Sequence, residues 1–258
     1  MNRSAYSILY KFKKGRSGAE RGCAVTRPTL VGKAAVTATL FTLTVASVVL
    51  ARTLGMELRV VGNQLILSGR VVGDEPEKVR EALASSPEID TVVLRNSPGG
   101  NAPAGYRVGE LLREHGLRTA VAGNCYSSCS RMFLGGSARY FTDDYPPENN
   151  NVGFHGHYDR MGRLDANLVR QYGLRDWIIK YSDSKADPVL VERWINIPYS
   201  RGMIHFCHPG LIRRAGTSTF ICQGGESPRS IFDCEPVSKT ALDLGIVTSL
   251  DLVHSADR

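Results

Sequence analysis

Two adjacent glycines after a proline, in the segment Asn96–Gly100 (NSPGG), place the strongest constraint on how this chain folds. The apolar run 91–94 precedes them and is typical of a buried strand. Glycines after a proline let the backbone turn sharply and leave N–H groups unpaired. Unpaired N–H groups at the end of a strand can hold a developing oxyanion. The segment therefore predicts a buried strand that ends in a loop of hydrogen-bond donors.

A serine, a histidine and an aspartate follow in an order that suits acyl transfer. Ser127 lies at the start of an apolar segment that predicts a helix. His155 follows the apolar run 152–154, and an imidazole at the end of a strand can take the proton of a serine on a neighbouring element. Asp233 can orient that imidazole. Each residue also has a purely structural interpretation: Ser127 as a helix N-cap, His155 as a core histidine and Asp233 as a turn residue.

Strand and helix patterns alternate along the chain with short connections, which predicts an α/β fold with right-handed crossovers. The predicted strands cover residues 57–61, 64–67, 91–94, 118–122 and 152–154. The predicted helices cover residues 74–84, 103–115, 127–135, 164–181, 188–195 and 237–244, the last one ended by Gly245. An exposed loop is expected at 143–151. No stretch within 52–258 is rich enough in Pro, Gly or Ser to divide it into two domains.

The formal net charge of +7 is confined to the first 33 residues. Residues 1–33 hold eight Lys and Arg and one acid, so the rest of the chain has no net charge and nucleic-acid binding is not expected. Residues 34–51 carry no charged side chain and as a helix would span about 27 Å, just under the ~30 Å bilayer core. The sequence thus predicts a basic cytoplasmic tail, a membrane anchor or cleaved signal peptide, and an external domain at 52–258.

Cysteine usage agrees with an oxidising compartment. Five of the six cysteines follow the apolar segment. This odd number leaves at least one thiol free unless it pairs between chains. Cys207 with Cys222 is one candidate bridge, and Cys125 and Cys129 are also possible disulfide partners, although connectivity cannot be deduced from sequence.

These segments resemble the Clp protease proteolytic subunit of the Clp/crotonase superfamily. The likeness runs from the glycine loop through Ser127 and its helix, includes the strand before His155, and ends at Asp233 and the segment 244–247. It implies a fold of repeated ββα units, peptide or protein substrates and a possible homo-oligomer. The site that it implies is a triad of Ser127, His155 and Asp233 with an oxyanion hole formed by the backbone amides of Gly99, Gly100 and Ser128.

The sequence departs from that family at three points. Ser128 stands where the family usually has methionine, Cys125 and Cys129 flank the serine, and the segment between His155 and Asp233 is longer. The Cys-x-Ser-x-Cys arrangement resembles exported Clp-like bacterial proteins, which implies the bacterial periplasm or the outer face of the inner membrane, anchored or secreted. An exported protein has no cytosolic unfoldase to supply its substrates, so the likeness bears on the fold more than on the substrate.

Four other kinds of site remain open. A zinc site would draw on His155, His157, His205, Cys207, His208 and Cys222, but their spacing matches no familiar zinc pattern. The others are a catalytic thiol at Cys125 or Cys129, a serine–lysine dyad with Lys180, Lys185 or Lys239, and an acyl-CoA enzyme that uses only the glycine-loop amides. We expect no metal and no cofactor. The sequence predicts a serine peptidase-like hydrolase, with a catalytically inactive binding or assembly module of the same fold as the second hypothesis.

Overall fold

A ten-stranded mixed β-sheet forms the centre of the region described by the computed structural model, residues 55–226 and 231–256. The strands are β1 (Glu57–Val61), β2 (Gln64–Val71), β3 (Thr91–Gly100), β4 (Arg118–Tyr126), β5 (Arg139–Thr142), β6 (Asn151–Phe154), β7 (Met203–Cys207), β8 (Thr219–Cys222), β9 (Glu235–Val237) and β10 (Leu252–Val253). The helices are α1 (Glu75–Ser85), α2 (Ala102–Glu114), α3 (Ser128–Gly135), α4 (Ala166–Gln171), α5 (Leu174–Tyr181), α6 (Pro188–Ile195) and α7 (Ile212–Ala215).

The predicted tail 1–33 and the predicted membrane segment 34–51 lie outside the described residues. Within the ranges that are described, no helix combines the length and the apolar character needed to cross a bilayer. All of the described residues belong to one compact unit, Arg52–Arg258.

The centre of the sheet is parallel and its two sides are antiparallel. Strands β2, β3 and β4 run parallel, and β4 continues parallel to β5 along its first half and to β6 along its second half. Strand β1 is antiparallel to β2, while β7, β8 and β9 follow β6 as antiparallel neighbours. Because β3, β4 and β6 are parallel, their carboxyl ends lie at the same edge, which is where open α/β sheets usually bind ligands.

Side chains of the central strands alternate between a large core on one face of the sheet and a small core on the other. Leu65 and Leu67 of β2 point into the large core, which the apolar faces of α1–α6 complete, whereas Ile66 joins Val93 of β3 on the opposite face of the sheet. Side chains at successive strand positions point to opposite faces, so an apolar run such as 91–94 is buried on both sides. Each fully buried Leu or Val contributes about 1.5–3 kcal/mol to stability.

Helices α2 and α3 cross closely because glycines lie at their contact. A Cβ atom added at Gly105 of α2 would be 2.8 Å from the Cβ of Ser128, and one at Gly109 would be 3.3 Å from the Arg131 carbonyl carbon. Helix α2 starts where the Asn101 side chain accepts the Ala104 N–H at 3.0 Å, as expected of an N-cap. The close crossing fixes the start of α3 against the glycine loop that precedes α2.

The sequence-based assignment is confirmed for most helices and strands of the first half of the chain, but the predicted glycine loop 96–100 is the last part of β3. In the second half, β5 and β7–β10 were not predicted, the predicted exposed loop 143–151 ends in two buried asparagines, and two predicted helices are corrected. The predicted helix 164–181 is instead two helices, α4 and α5, because Gly173 adopts a left-handed conformation with φ 54°. The predicted helix 237–244 does not form. Val237 pairs with Thr219 as the last residue of β9, and the turn after it is held by the Thr240 N–H bound to Asp243 at 2.8 Å.

A buried arginine fastens the segment after this turn to the sheet. Arg139 of β5 is fully buried and donates to the carbonyl oxygens of Gly136, Gly245 and Ile246 at 2.7, 2.9 and 3.1 Å. Its guanidinium also contacts the Asp183 carboxylate at 3.0 Å. These bonds explain how a short segment without a helix is held in a defined position.

The last described residues pair with the side chain of Gln64 at the start of β2. Gln64 Nε2 donates to the His254 carbonyl at 2.8 Å, and the Ala256 N–H donates to Gln64 Oε1 at 2.9 Å. The amide side chain thus acts like one residue of a neighbouring strand, and it joins segments 192 residues apart.

Candidate active site

Three chain segments meet at the carboxyl ends of β3, β4 and β6. Tyr126, the last residue of β4, is the register partner of Gly153 in β6, and the next residue, Ser127, donates its N–H to the Gly153 carbonyl at 3.0 Å. His155 follows β6 directly. Ser127 and His155 therefore follow neighbouring strands at the same edge, as the sequence predicted for a serine and its base.

Ser127 has an unusual backbone conformation for a residue that is not glycine. Its φ of 56° and ψ of −121° lie outside the regions that L-residues favour, and such a conformation costs about 1–3 kcal/mol. Its side chain makes no capping hydrogen bond to α3, so the interpretation of Ser127 as a side-chain N-cap is wrong. The residue occupies a sharp strand-to-helix turn and is only partly buried, which is the geometry that exposes a nucleophilic hydroxyl in hydrolases.

Gly99 packs directly against this turn. With φ 80°, its backbone suits glycine, and an added Cβ would be 2.7 Å from the Ser127 Cβ and 3.0 Å from the Ser128 nitrogen. The Gly99 N–H donates to the buried Ser97 hydroxyl at 3.2 Å, so an oxyanion would have to share or replace that bond. Ser128 is the first residue of α3, where an N–H has no acceptor within the helix. The Ser128 amide is thus the stronger candidate donor.

Gly100 is paired with β2. It is the register partner of Val71, and an added Cβ would meet the Val71 backbone, whereas the added Cβ that would meet Ser127 is that of Gly99. An oxyanion role for the Gly100 amide stays a prediction.

His155 is a buried and uncharged imidazole. Its ring lies 4.9 Å from the Tyr158 ring, and its Nδ1 atom is buried without a hydrogen-bond partner among the described residues. Burial, assisted by the positive charge of Arg131 and by His157, lowers the pKa of His155 to about 3, while a backbone hydrogen bond with Gly202 opposes the shift. The ring is therefore neutral at physiological pH. No hydrogen bond joins it to the Ser127 hydroxyl within residues 55–226.

No hydrogen bond between Asp233 and His155 is found among the described residues. Asp233 lies exposed in the short 3-10 helix Ile231–Asp233, and no carboxylate is among the main causes that shift the pKa of His155. A disulfide between Cys222 and Cys234 holds this turn at the end of β8. Strand β8 is two strands from β6, which corresponds to roughly 10 Å across the sheet. The role of Asp233 as the orienting carboxylate stays a prediction.

The cysteines form two disulfides, of which one encloses Ser127. Cys125 pairs with Cys129 with their Cα atoms 5.2 Å apart, and both residues are fully buried. The predicted bridge between Cys207 and Cys222 is wrong, since the register of β7 and β8 places Cys222 opposite Met203, at the other end of β7. Cys207 remains a buried thiol, and burial raises its pKa to about 12.

A buried arginine beside the site was not identified from the sequence. Arg131 of α3 is 1% exposed, and its Nη2 donates to the His155 carbonyl at 3.1 Å. Its Nε and Nη1 atoms have no hydrogen-bond partner within the described part of the chain, and the guanidinium lies 5.3 Å from the Tyr106 ring centroid. The Tyr106 hydroxyl in turn contacts His157 Nε2 at 2.9 Å. The sequence signal that could have identified Arg131 is that it is the one charged residue in the predicted helix 127–135.

The proposed zinc ligands do not assemble. Cys222 is consumed by a disulfide, and no group of three or more His, Cys, Asp or Glu side chains in the described ranges has an arrangement that could hold a metal ion. The His205 ring faces Asn151, whose side-chain nitrogen lies 3.0 Å from its Nδ1, and burial lowers the pKa of His205 to about 4.

The fold has structural relatives at low sequence identity. It is similar to a mutant of the membrane-bound stomatin-specific protease 1510-N, at 10% identity and a TM-score of 0.45 over 75% of this chain and 78% of that chain. It is also similar to ClpP1 from Listeria monocytogenes and to a mutant of that protein, each at 12% identity and a TM-score of 0.46 over 74% of this chain and 92% of theirs. No protein-family model matches the sequence. No curated protein matches it in sequence. At this level of similarity the chemistry has to be argued from this chain's own residues.

Proposed function

We propose that this protein is a serine hydrolase that acts on peptide or protein substrates through Ser127. The observation that carries the proposal is the strained strand-to-helix turn at Ser127, pressed against Gly99 and followed by the free first N–H of α3. Strained conformations of this kind persist where the surrounding structure fixes them, and they cluster at active sites. A plain N-cap serine would need no such conformation.

The proposed chemistry begins with the Ser127 hydroxyl. Its oxygen attacks the carbonyl carbon of the substrate while its proton passes to the neutral imidazole of His155, which has an unpartnered ring nitrogen. The Ser128 N–H stabilises the resulting oxyanion. The imidazolium returns the proton to the leaving amine, the carbon–nitrogen bond breaks, and water then hydrolyses the ester to release the acid and restore Ser127.

The surroundings of His155 oppose a high rate of turnover. Forming an imidazolium beside Arg131 is unfavourable, and within the described residues no carboxylate balances the charge. A third group that stabilises the imidazolium is a major source of rate in serine hydrolases. We therefore expect slow turnover. The same observation favours the second candidate, a non-catalytic binding or assembly module, if Ser127 proves unreactive.

We also propose an extracytoplasmic location. Two disulfides in the described residues are typical of an oxidising compartment. The uncharged segment 34–51 after a basic tail supplies an anchor or a signal peptide. A homo-oligomer remains a prediction from the family resemblance.

Covalent labelling tests the function directly. A fluorophosphonate reacts when an activated serine oxygen displaces fluoride from phosphorus, and the modified residue can be mapped by mass spectrometry. We expect the adduct on Ser127. Ser127→Ala should abolish it, and His155→Gln should slow labelling by about 100-fold or more, the usual range for general-base catalysis.

Ser137→Ala is the matched control, since Ser137 is an exposed serine just beyond the far end of the same helix and bonds to the Gly116 carbonyl at 2.7 Å. It should label like the wild type. A folded wild-type protein that acquires no adduct, or an adduct mapped to another serine, would contradict the proposed function and favour the binding module.

A further inference from the structure

The Cys125–Cys129 disulfide is centred on the candidate nucleophile. Cys125 lies two residues before Ser127 and Cys129 two residues after it, one on β4 and the other in the first turn of α3. Four residues of extended chain span about 13 Å, whereas the bridge holds these two Cα atoms at 5.2 Å. The cross-link therefore excludes an extended chain through Ser127.

The main chain of Ser127 is held in this turn by hydrogen bonds on both sides. Its N–H donates to the Gly153 carbonyl at 3.0 Å, and its own carbonyl accepts from the Ser130 N–H at 3.0 Å and the Ser130 hydroxyl at 2.6 Å. These contacts fix the position of the peptide groups. The disulfide adds a covalent restraint between the strand before this turn and the helix after it.

From this geometry we infer that the Cys125–Cys129 disulfide positions Ser127, by keeping its backbone in the strained conformation that places its Cβ beside Gly99. The inference rests on the proposed function, because it assigns the bridge a role in the reaction of Ser127. Cys125 and Cys129 are positioning residues in this account, because they act on the substrate only through Ser127.

Loss of the bridge should leave the fold in place. All eight residues of α3 are buried, and Met132, Phe133 and Leu134 belong to the large core, so apolar packing holds the helix on the sheet without the cross-link. What the bridge adds is restriction of the turn. Its removal should therefore lower the rate of bond formation at Ser127 and leave the recognition of a probe unchanged.

The chain offers a matched control in its second disulfide. The two variants to compare are Cys125→Ala/Cys129→Ala and Cys222→Ala/Cys234→Ala. Each variant loses one disulfide, but only the first loses the disulfide around Ser127. Fluorophosphonate labelling is measured over a range of probe concentrations, which separates the maximal rate of inactivation from the apparent affinity. Circular dichroism gives the folded fraction, to which each rate is normalised.

We expect the first variant to reduce the maximal labelling rate roughly tenfold or more with little change in apparent affinity, and the second to stay within about twofold of the wild type. Cys125→Val/Cys129→Ala, which refills part of the lost volume, should behave like the first variant even if that one is unstable. Equal rates for the two disulfide variants, or a loss that follows only the folded fraction, would overturn the inference and leave the proposed function standing. A wild-type protein without an adduct would overturn both.

Discussion

Three buried histidines should make the folding stability of this protein fall steeply between pH 7 and pH 5. Burial lowers the pKa of His155 and His157 to about 3 and that of His205 to about 4, and the charge of Arg131 contributes to the first two. The other polar side chains that contact these rings include no carboxylate; they are Tyr106, Tyr126, Tyr158, Tyr172 and Asn151. In the folded protein all three imidazoles are therefore neutral at pH 5.

The magnitude follows from proton linkage. Each imidazole of the unfolded chain titrates near pH 6.5, so below that pH the unfolded state binds protons that the folded state does not. Stability is then lost as the pH falls through the unfolded pKa toward the folded one. Each histidine removes about 2 kcal/mol between pH 7 and pH 5, and the three together about 6 kcal/mol, which is comparable with the whole stability of many domains.

This figure does not depend on the folded pKa values, because all three lie below pH 5. Carboxylates such as Asp183, whose pKa is lowered through its bonds to Arg139 against the effect of burial, lose their contribution only below about pH 4. The histidines therefore dominate the interval from pH 7 to pH 5.

Urea unfolding at pH 7, 6 and 5 measures the effect. His155→Gln should reduce the loss between pH 7 and pH 5 by about 2 kcal/mol, roughly one third. His115→Gln, which removes an exposed imidazole at the end of α2, should keep the wild-type dependence. A free energy of unfolding that changes by less than about 1 kcal/mol over this interval would refute the reasoning, since it would mean that the buried rings bind protons in the folded state.

Two further predictions concern the packing that holds the site. Arg139→Met should lower the free energy of unfolding by about 2–5 kcal/mol, because it leaves the carbonyl groups of Gly245 and Ile246 without their buried donor, while Arg113 still contacts the Gly136 carbonyl and Asp183; urea unfolding at pH 7 measures it, and a loss below about 1 kcal/mol would contradict it. Gly105→Ala should destabilise the protein by about 1–3 kcal/mol and lower its melting temperature, since the new Cβ meets the Ser128 backbone and side chain; an unchanged melting temperature would show that α2 and α3 can separate freely.

Local sequence signals accounted for much of the sheet and for the position of the serine and histidine. The apolar runs before Gly99 and before His155 predicted strands, and the order of strands and helices predicted that their ends would be functional. These signals act over a few residues, and the structure forms the same elements with small shifts. Helix α3, for example, begins at Ser128 and not at Ser127 because the backbone of Ser127 is not helical.

Features that depend on strand register could not be predicted from the sequence. Cys222 pairs with Cys234 and not with Cys207 because β7 and β8 align Cys222 with Met203, and no local pattern fixes that alignment. The same disulfide holds the turn that contains Asp233 beside β8. The eight-residue pattern that indicated a last helix, 237–244, was also too short to nucleate one without tertiary support.

The pairing of Gln64 with His254 and Ala256 has a consequence for how the molecule forms during translation. A ribosome adds about 5–20 residues each second, so the 192 positions that separate Gln64 from Ala256 take about 10–40 s to synthesise. Throughout that time the Gln64 amide lacks both partners, although β2 can already pair with β1 and β3. A nascent chain stopped before residue 254 should therefore form these strands and leave this one contact unmade.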